Sequence, residues 1–529
     1  MDYQQVSSKL MKREEIALLD VREEGPHAGG HPLFAANFPL SSLEINAYDK
    51  LPRKDVPIIT IDNGEGLAQK ACLRLKAMGY TNASEFDGGI EAWKAAGGEL
   101  FIDVNVPSKA FGELMESVCH TPSLPAEEVK SLQDAGENHI IVDVRRFDEY
   151  QTMCIPGGIS VPGAELVLRV PQMVPDPETR IIVNCAGRTR GLIGAQSLIN
   201  AGLPNKVTAL RNGTIGWTLA RQNLELGQSR HYPAVTDDTI KSCRDMGRGV
   251  ADRAGVKRAT LEDVRNWSAQ VGRTTYFFDV RSPGEYEEGH IPGFLSVPGG
   301  QLVQELEMYA PIRGARIVLV DDKSVRADMS ASWLAQMAWD VFVLDGADDS
   351  SFSEAGPSKR SLPILPTNQK ISPQTLAAWL QESVDTVVID LSKHAQFCKS
   401  HIPGAWFMIR SSMDQSIINI PKARRYVLTC ADSALAQFAA YDLATKIPEQ
   451  VFVLDGGNQS WRNAGLEMTS GEENLSSPPI DRYRRPYEGT NVPDAAMQAY
   501  LDWEFGLIEQ LARDGTHHFN PMETVISGL

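Results

Sequence analysis

Short apolar runs alternate along this chain with segments that have the character of helices. The run Ile181-Ile182-Val183 has the length of a buried strand, and residues 192–201 follow it with a helical pattern. Strands that alternate with helices predict βαβ units, and therefore a parallel sheet with helices on both faces. Such sheets bind ligands beyond the carboxyl ends of their strands. The pattern predicts an α/β protein whose functional edge carries the loops that follow the strands.

The same order of features occurs four times. Each copy has an apolar strand that ends in an acid, a polar segment, a proline-containing turn, a second strand with its loop, an alanine-rich helix and a third strand that ends before glycine. The strand-ending acids recur every 110 to 136 residues or so, which is the size of a domain. They are Asp20, Asp143, Asp279 and Asp390. We therefore predict four tandem domains, each a small parallel sheet flanked by helices. Their predicted bounds are 1–110, 120–228, 255–358 and 369–472.

A C-terminal helical tail is predicted over residues 476–529. Within it, apolar residues follow helical spacing from 494 to 512. They are Met497, Leu501, Phe505, Ile508 and Leu511. Three interpretations remain open: a helix packed on one of the domains, a cover over an active loop, or the contact of a homodimer.

Composition narrows the classes of function. The 529 residues carry a net charge of −17, which disfavours a nucleic-acid surface and suits small-molecule or protein partners. No run approaches the roughly 18 apolar residues of a membrane span, and the polar start shows no signal peptide. The seven cysteines include no CxxC pair. We therefore expect no disulfide framework and no metal site, in a reducing, cytoplasmic setting.

The most distinctive segment is the cysteine loop, residues 184–191, with the sequence Asn-Cys-Ala-Gly-Arg-Thr-Arg-Gly. Cys185 lies between a predicted strand and a predicted helix, where backbone N–H groups and the helix dipole favour negative charge. The two arginines match the geometry of an oxyanion. We expect these groups to favour the Cys185 thiolate, which makes Cys185 the candidate nucleophile. The candidate substrate-binding residues are Ala186, Gly187, Arg188, Thr189, Arg190 and Gly191.

The ordered set of motifs resembles the rhodanese-homology family. It comprises Asp-Val-Arg at 143–145, Pro-Gly at 156–157 (preceded by His-Ile in the third and fourth copies), the cysteine loop, and Gly-x-x-x-Trp at 213–217. The resemblance implies four tandem rhodanese-like domains. It also implies a sulfurtransferase that takes sulfane sulfur from thiosulfate or a related persulfide donor and passes it to cyanide or a thiol. The sulfur would be held as a persulfide on Cys185, and no further cofactor is implied.

Alignment on the preceding strand places Asp62, Asp321 and Cys430 at the position of Cys185. An aspartate cannot carry a persulfide, so the first and third copies are predicted to be inactive. Cys430 keeps the thiol, but Asp432 beside it disfavours the thiolate and repels an anionic donor. Cys430 is therefore either a buried, inert cysteine or a relay thiol that accepts sulfur from Cys185.

Two further residues are secondary candidates. Arg145 recurs with Asp143 in three copies, two of which lack the cysteine, so we expect a buried polar pair that holds the neighbour of the loop. Trp217 either forms a wall of the pocket or packs against the sheet. His290 and His401, in copies without a full loop, are predicted to stabilise their turns.

Two rival functions remain. Phosphatases and arsenate reductases also use a Cys…Arg loop around an oxyanion, but phosphatases of this fold keep five residues between Cys and Arg, whereas four separate Cys185 from Arg190. The second rival is a non-catalytic scaffold that binds sulfur species or proteins, because three of the four copies lack the complete loop.

Overall fold

The computed structural model describes residues 1–382 and 385–523. It contains the four parallel-sheet α/β copies that the repeats predict. Residues 383–384 of the predicted domain 369–472, and the last six residues of the predicted tail, lie outside the described residues.

The sheets of the second, third and fourth copies share one strand order, and every pairing in them is parallel. Across the second sheet the strands are Ser123–Leu124, Val207–Leu210, Arg180–Asn184, His139–Asp143 and Ile159–Ser160. Across the third they are Lys257–Ala259, Asp340–Leu344, Arg316–Val320, Thr275–Asp279 and Leu295–Ser296. Across the fourth they are Gln369–Ile371, Gln450–Leu454, Arg425–Thr429, Thr386–Asp390 and Trp406–Phe407. The first copy has Ala83–Glu85, Ile58–Ile61, Ile16–Asp20 and Ala36–Asn37, also parallel. One further short strand of the described residues is Ile312–Arg313.

Helices connect the strands of every copy. In the first copy they are Tyr3–Met11, Glu24–Ala28, Leu43–Lys50, Leu67–Ala77 and Gly89–Ala95. In the second they are Ala126–Asp134, Phe147–Thr152, Leu166–Met173, Thr189–Asn200 and Gly213–Leu219. In the third they are Leu261–Ser268, Pro283–Glu288, Gly299–Gln304, Leu306–Tyr309 and Arg326–Gln336. In the fourth they are Pro373–Gln381, His394–Lys399, Met413–Ser416, Ala434–Ala444 and Gly457–Asn463. Short 3-10 turns are Leu40–Ser42, Gly163–Glu165, Asp349–Ser351, Arg410–Ser412 and Ile417–Asn419.

Within the described residues, four helices lie outside the copies. Val106–Cys119 joins the first and second copies, and Asp237–Arg253 joins the second and third. The tail contains Asp494–Phe505 and Leu507–Asp514, so the single helix expected over 494–512 is interrupted at Gly506. No helix in the described ranges is both long and apolar enough to cross a bilayer.

The chain divides into two compact units. One consists of Met1–Asp2, Ala17–Val104 and Arg360–Tyr483, and so contains most of the first copy with the fourth. The other consists of Tyr3–Ile16, Asn105–Lys359 and Arg484–Leu529, and so contains the second and third copies together with the tail. The cysteine loop belongs to this second unit.

Apolar side chains cover both faces of the sheet that carries the cysteine loop. On one face, Ile141 and Ile182 pack with Val129 and Trp217. On the other, the helix Thr189–Asn200 approaches the sheet closely, because a Cβ on Gly194 would lie 3.0 Å from Cγ1 of Val183. Side chains alternate across a strand, so the apolar run 181–183 serves both faces.

A buried ion pair lies at the carboxyl end of the strand His139–Asp143, next to the strand that leads to Cys185. The Nε and Nη2 atoms of Arg145 donate to the two carboxylate oxygens of Asp143 at 2.9 and 2.8 Å, and both side chains are about 1% exposed. The second carboxylate oxygen also accepts from Nδ2 of Asn184 at 2.8 Å. This confirms the expected role of Arg145 as part of a polar pair that holds the residue before Cys185.

Replacement of Arg145 by alanine tests this pair. The change leaves the Asp143 carboxylate buried without its counter-charge, which costs about 3–5 kcal/mol in buried pairs. We expect a clear decrease in the denaturation midpoint of the full chain, followed by circular dichroism. The matched control is Arg146→Ala, which removes an exposed pair with Asp148 and should change the midpoint little. Equal effects of the two variants would contradict the assignment.

Candidate active site

The cysteine loop follows the strand Arg180–Asn184, and its last three residues begin the helix Thr189–Asn200. The backbone carbonyls of Cys185 and Ala186 accept hydrogen bonds from the N–H groups of Thr214 and Ile215, at 2.9 and 3.0 Å. Gly213 allows this contact: its φ is +54°, and a Cβ there would lie 2.3 Å from the Cys185 carbonyl oxygen. The loop is therefore fixed at its carbonyl side by the start of the helix Gly213–Leu219.

Two glycines of the loop are required by close contacts rather than by backbone angles. A Cβ on Gly191 would lie 3.3 Å from Sγ of Cys185, and one on Gly187 would lie 3.2 Å from Cε1 of Tyr500. Both values are short for carbon contacts, so larger residues would displace either the thiol or the tail. The absence of a side chain at Gly191 leaves space beside the Cys185 sulfur.

Cys185 opens into a small pocket formed within the unit that carries the second and third copies. All six predicted substrate-binding candidates line it or lie against its thiol. The lining residues are Ser108, Lys109, Cys185, Ala186, Gly187, Arg188, Thr189, Arg190, Gln304, Tyr487, Tyr500 and Glu504. The helix Val106–Cys119, the third copy and the tail therefore each contribute to the walls.

The guanidinium of Arg188 is held by acids of the helix Val106–Cys119. Its Nε and Nη2 atoms donate to Glu113 at 2.8 and 2.9 Å, and Nη2 also contacts Glu116. Its Nη1 atom donates to Asn212 at 3.2 Å, and the ring of Phe505 lies 4.1 Å from Cζ. In this structure the Arg188 guanidinium therefore bonds to protein groups and holds the loop in place. That Arg188 also binds an oxyanion of the substrate stays a prediction.

The guanidinium of Arg190 forms a two-point ion pair with Glu149, at 2.8 and 2.9 Å. Burial opposes the charge on Glu149, but Arg190 outweighs it and lowers the pKa of that carboxyl to about 2. Arg190 also acts on the thiol, since its charge lowers the pKa of Cys185. The pair is repeated in the third copy between Arg326 and Glu285, at 2.8 Å.

The tail packs on the second copy and covers the cysteine loop, as two of the three interpretations expect, and the homodimer contact stays a prediction. The Tyr500 hydroxyl donates to Oε1 of Glu504 at 2.9 Å, and Thr189 Oγ1 is 3.5 Å from the same oxygen. The other carboxylate oxygen is buried without a hydrogen-bond partner among the described residues. Glu504 is fully buried. A buried carboxyl therefore faces the loop that carries the thiol.

Lys109 is the second buried charge that the sequence did not reveal. Its Nζ atom lies 5.8, 5.1 and 5.3 Å from the ring centroids of Tyr487, Tyr500 and Trp503, within the range of cation–π attraction. The apolar spacing of the tail predicted only a helix. The signal in the sequence for a buried cation beneath the tail is its group of aromatic residues at 487, 500 and 503.

Burial changes the proton chemistry of the site. It raises the pKa of the Cys185 thiol to about 11, although Arg190 and the Gly191 N–H act in the opposite direction. The expectation that the loop would favour the thiolate is therefore wrong for the closed pocket, because removal from water outweighs the favourable charges. Burial, with a smaller effect of Glu113, also raises the pKa of Glu504 to about 8. The pKa of the Cys185 thiol therefore lies well above neutrality, and that of the Glu504 carboxyl lies close to it.

The register of the sheets places Asp62, Asp321 and Cys430 immediately after their strands, at the position of Cys185. The Asp62 carboxylate accepts from the N–H groups of Gly64 and Ala68 at 2.9 and 3.0 Å. That of Asp321 accepts from Val325 and Arg326 at 3.2 and 3.0 Å. In these two copies the aspartate side chain thus accepts the backbone hydrogen bonds that would otherwise be available to a bound anion.

Cys430 is buried, and burial raises the pKa of its thiol. The carbonyl of Cys430 accepts from the Asn458 N–H at 2.8 Å, as that of Cys185 accepts from Thr214. The neighbouring Asp432 contacts Arg360. The choice between an inert and a relay cysteine stays a prediction.

The remaining candidates lie in the core and turns. Trp217 is buried against Ile182, donates from Nε1 to the Asn223 carbonyl at 2.8 Å, and is not a lining residue of the pocket. Its ring therefore packs against the sheet. Nδ1 of His290 and of His401 is 2.9 and 2.7 Å from the carbonyl oxygens of Tyr286 and Phe397. These contacts match the expected role of both histidines in stabilising turns.

Sequence and structure comparisons identify relatives over the whole chain. The rhodanese-like domain family matches residues 4–96, 125–220, 260–347 and 372–464. The crystal structure of thiosulfate sulfurtransferase from Pseudomonas aeruginosa is 57% identical, covers 99% of both chains and has a TM-score of 0.98. The Alr3790 protein from Anabaena sp. is 31% identical over 20% of this chain and 94% of its own, with a TM-score of 0.19. A rhodanese-like domain protein from Staphylococcus aureus is 23% identical over 19% of this chain and 99% of its own, with a TM-score of 0.17.

The raised pKa of Cys185 predicts how its alkylation depends on pH. Because only the thiolate reacts, the rate of modification by iodoacetamide should rise about tenfold per pH unit until the pH approaches the Cys185 pKa of about 11. A cysteine peptide with a pKa of about 8.5 should reach its plateau well before that. Peptide mass spectrometry separates Cys185 from the other six cysteines. A plateau for Cys185 below pH 8 would contradict the assignment.

Proposed function

The chain belongs to the rhodanese-like domain family, and from this premise we propose that it is a sulfurtransferase that works through a persulfide on Cys185. The donor is thiosulfate or a related persulfide, and the acceptor is cyanide or a thiol. The observation that carries the proposal is the pocket at Cys185, in which a thiol, an adjoining guanidinium and a buried carboxyl meet. The similarity over 99% of the chain to a protein described as thiosulfate sulfurtransferase supports the choice of donor.

The first half-reaction requires removal of the thiol proton. Burial keeps that proton on Cys185, and Glu504 is the carboxyl that faces the cysteine loop from the tail. We assign Glu504 as the proton acceptor. Its unpartnered oxygen, which lies 3.5 Å from the Cβ position of Gly187, is available for this role. A carboxyl with a raised pKa is suited to proton exchange near neutral pH.

The bonds and charges of this step balance. The Cys185 proton passes to the Glu504 carboxylate, and the sulfur attacks the outer sulfur of thiosulfate. A new S–S bond forms, the S–S bond of thiosulfate breaks, and sulfite leaves with the electron pair of that bond. The products are the Cys185 persulfide anion, neutral Glu504 and sulfite. Neutralisation of Glu504 removes a negative charge just as the persulfide acquires one.

Positive charge in the pocket favours the anions of this reaction. Arg190 and Lys109 both line the pocket, and Arg190 acts directly on the charge of the sulfur. The N-terminal end of the helix Thr189–Asn200 contributes in the same direction. Arg188 acts differently, as a positioning residue that ties the loop to Glu113.

In the second half-reaction the acceptor attacks the outer sulfur of the persulfide. With cyanide, a C–S bond forms, the S–S bond breaks, and thiocyanate leaves. Cys185 is released as a thiolate and regains its proton from Glu504. The cycle needs no cofactor beyond the covalent persulfide, and its two separate products imply ping-pong kinetics.

Other features support the setting of this activity. The net charge of −17 and the small closed pocket suit small-molecule partners rather than nucleic acid. Seven free thiols, all within the described residues, favour a reducing, cytoplasmic environment. Phosphatase or arsenate reductase activity is the weaker alternative because the loop between Cys185 and Arg190 is short. A non-catalytic scaffold is also weaker, because it does not account for a thiol, a guanidinium and a carboxyl in one pocket of the second copy.

Replacement of Cys185 by serine tests the site of the persulfide. With thiosulfate and cyanide, we expect thiocyanate formation to fall to background, because serine cannot carry sulfane sulfur. After thiosulfate alone, the Cys185 peptide of the wild-type protein should gain about 32 Da, the mass of one sulfur. The matched control is Cys430→Ser, which should retain activity. Loss of activity in Cys430→Ser with retention in Cys185→Ser would move the site to the fourth copy, and hydrolysis of an aryl phosphate without thiocyanate would favour the phosphatase.

Replacement of Glu504 by glutamine tests the proton acceptor. Since the base must be ionised and its pKa is about 8, kcat/KM for thiosulfate should rise with pH through about 8 in the wild-type protein. In Glu504→Gln this rise should disappear, and kcat should fall about 100-fold or more. Glu509→Gln, an exposed change in the same tail, should preserve both the rate and the profile. An unchanged pH profile in Glu504→Gln would exclude Glu504 as the base.

A further inference from the structure

Three metal-binding side chains meet in the fourth copy, within the unit that contains Arg360–Tyr483. His394 and Cys398 lie one turn apart on the helix His394–Lys399, with Nε2 of the histidine 3.3 Å from Sγ of the cysteine. Oε1 of Glu472 lies 3.9 Å from the same sulfur. One donor atom from each residue lies within 4.8 Å of the other two.

Backbone contacts outside the three side chains hold them together. The Gly471 N–H donates to the Cys398 carbonyl at 3.0 Å, which fixes the segment that carries Glu472 beside the helix. Just after the helix ends, His401 and Thr469 exchange two backbone hydrogen bonds of 2.9 Å. At the start of the helix, the Asp481 carboxylate accepts from the His394 N–H at 2.7 Å. The arrangement therefore follows from the fold and does not need an ion to form.

The separations match those of ligands on one tetrahedral ion. Zinc–sulfur and zinc–nitrogen bonds of about 2.3 and 2.0 Å at a tetrahedral angle place the two ligand atoms roughly 3.5 Å apart. The sulfur–nitrogen and sulfur–oxygen distances of 3.3 and 3.9 Å lie on either side of that value. A set of one sulfur, one nitrogen and one oxygen suits Zn²⁺ rather than Mg²⁺ or Ca²⁺, which prefer oxygen alone.

The repeats show that these residues are not a requirement of the fold. The turns of the four copies correspond through the bridges His31–Phe101, Cys154–Glu225, His290–Glu354 and His401–Thr469. The positions that correspond to His394, Cys398 and Glu472 follow from their distance along the chain to these bridge residues. In the first copy they are Glu24, Ala28 and Val104. In the second they are Phe147, Gln151 and Gln228, and in the third they are Pro283, Glu287 and Pro357. No other copy has more than one metal-binding side chain there. The set of three is particular to the fourth copy.

We propose that His394, Cys398 and Glu472 bind a thiophilic divalent cation of the Zn²⁺ class. Binding replaces the Cys398 proton, which leaves to water, and the thiolate and carboxylate together balance the charge of the ion. The fourth position of the tetrahedron is open to water or an added ligand. The expectation of no metal site rested on the absence of CxxC, and this set instead joins a His-x-x-x-Cys helix to a distant glutamate.

Cobalt and zinc titrations of the chelator-treated, full-length protein test the proposal. One Co²⁺ per chain should produce the visible absorption of tetrahedral cobalt with a near-ultraviolet thiolate-to-metal band, and Zn²⁺ should displace it. Zn²⁺ should also raise the unfolding temperature, because it binds the folded state. Cys398→Ala and His394→Ala should each abolish the thiolate band or weaken binding by more than roughly tenfold, since even changes next to ligands have effects of that size.

Matched controls separate this site from other thiols. Cys185→Ser and Cys430→Ser should preserve the cobalt spectrum, and circular dichroism of Cys398→Ala checks that the variant is folded. A cobalt spectrum without a thiolate band in the wild-type protein would overturn the proposal. So would a band, or a zinc-dependent rise in unfolding temperature, that persists unchanged in Cys398→Ala.

Discussion

The buried carboxylate of Asp143 is the constraint on which the active site depends. It ends the strand His139–Asp143, receives two bonds from the Arg145 guanidinium and another from the Asn184 side chain, and so fixes the residue that precedes Cys185. A buried carboxylate without hydrogen-bond partners or a counter-charge would be strongly unfavourable, so the fold must supply them. The same pair recurs as Asp20 with Arg22 and as Asp279 with Arg281. In the fourth copy, where serine replaces the arginine, Asn458 donates to Asp390 instead. A buried acid with polar partners is thus present at the end of this strand in all four copies.

Closure of the pocket determines the chemistry as much as the loop does. An open strand-to-helix turn with a nearby arginine would favour a thiolate, but the tail covers Cys185 and burial reverses that preference. A neutral thiol in a closed pocket is protected from adventitious oxidation, because oxidation requires the thiolate and access. The cost is that a base must be present inside the pocket. The buried carboxyl of Glu504, carried by the same segment that excludes water, meets that need within the proposed mechanism.

The sequence predicted the fold well because each copy repeats the same signals. Four strand-ending acids at domain spacing, with alternating apolar runs and helices, were enough for four parallel-sheet copies and for the position of Cys185. The proton chemistry could not be predicted in the same way. It depends on Lys109 and Glu504, which are about 400 residues apart and meet only when the tail lies on the loop. A charged residue in an amphipathic helix ordinarily faces solvent, so no local pattern marks Glu504 as buried.

The copies without a catalytic cysteine also have a physical explanation. In the first and third copies an aspartate carboxylate accepts hydrogen bonds from the backbone N–H groups that would otherwise bind an anion. The N–H groups of the turn therefore have a hydrogen-bond partner without a ligand. The third copy has a further role within its unit, because Gln304 lines the pocket of Cys185 and Arg326 forms a buried ion pair with Glu165 of the second copy at 2.8 Å. Trp333 adds a hydrogen bond to Ser197 on the helix that follows the cysteine loop, at 2.9 Å. The third copy therefore forms part of the wall of the pocket at Cys185, and its own loop is satisfied by contacts within the chain.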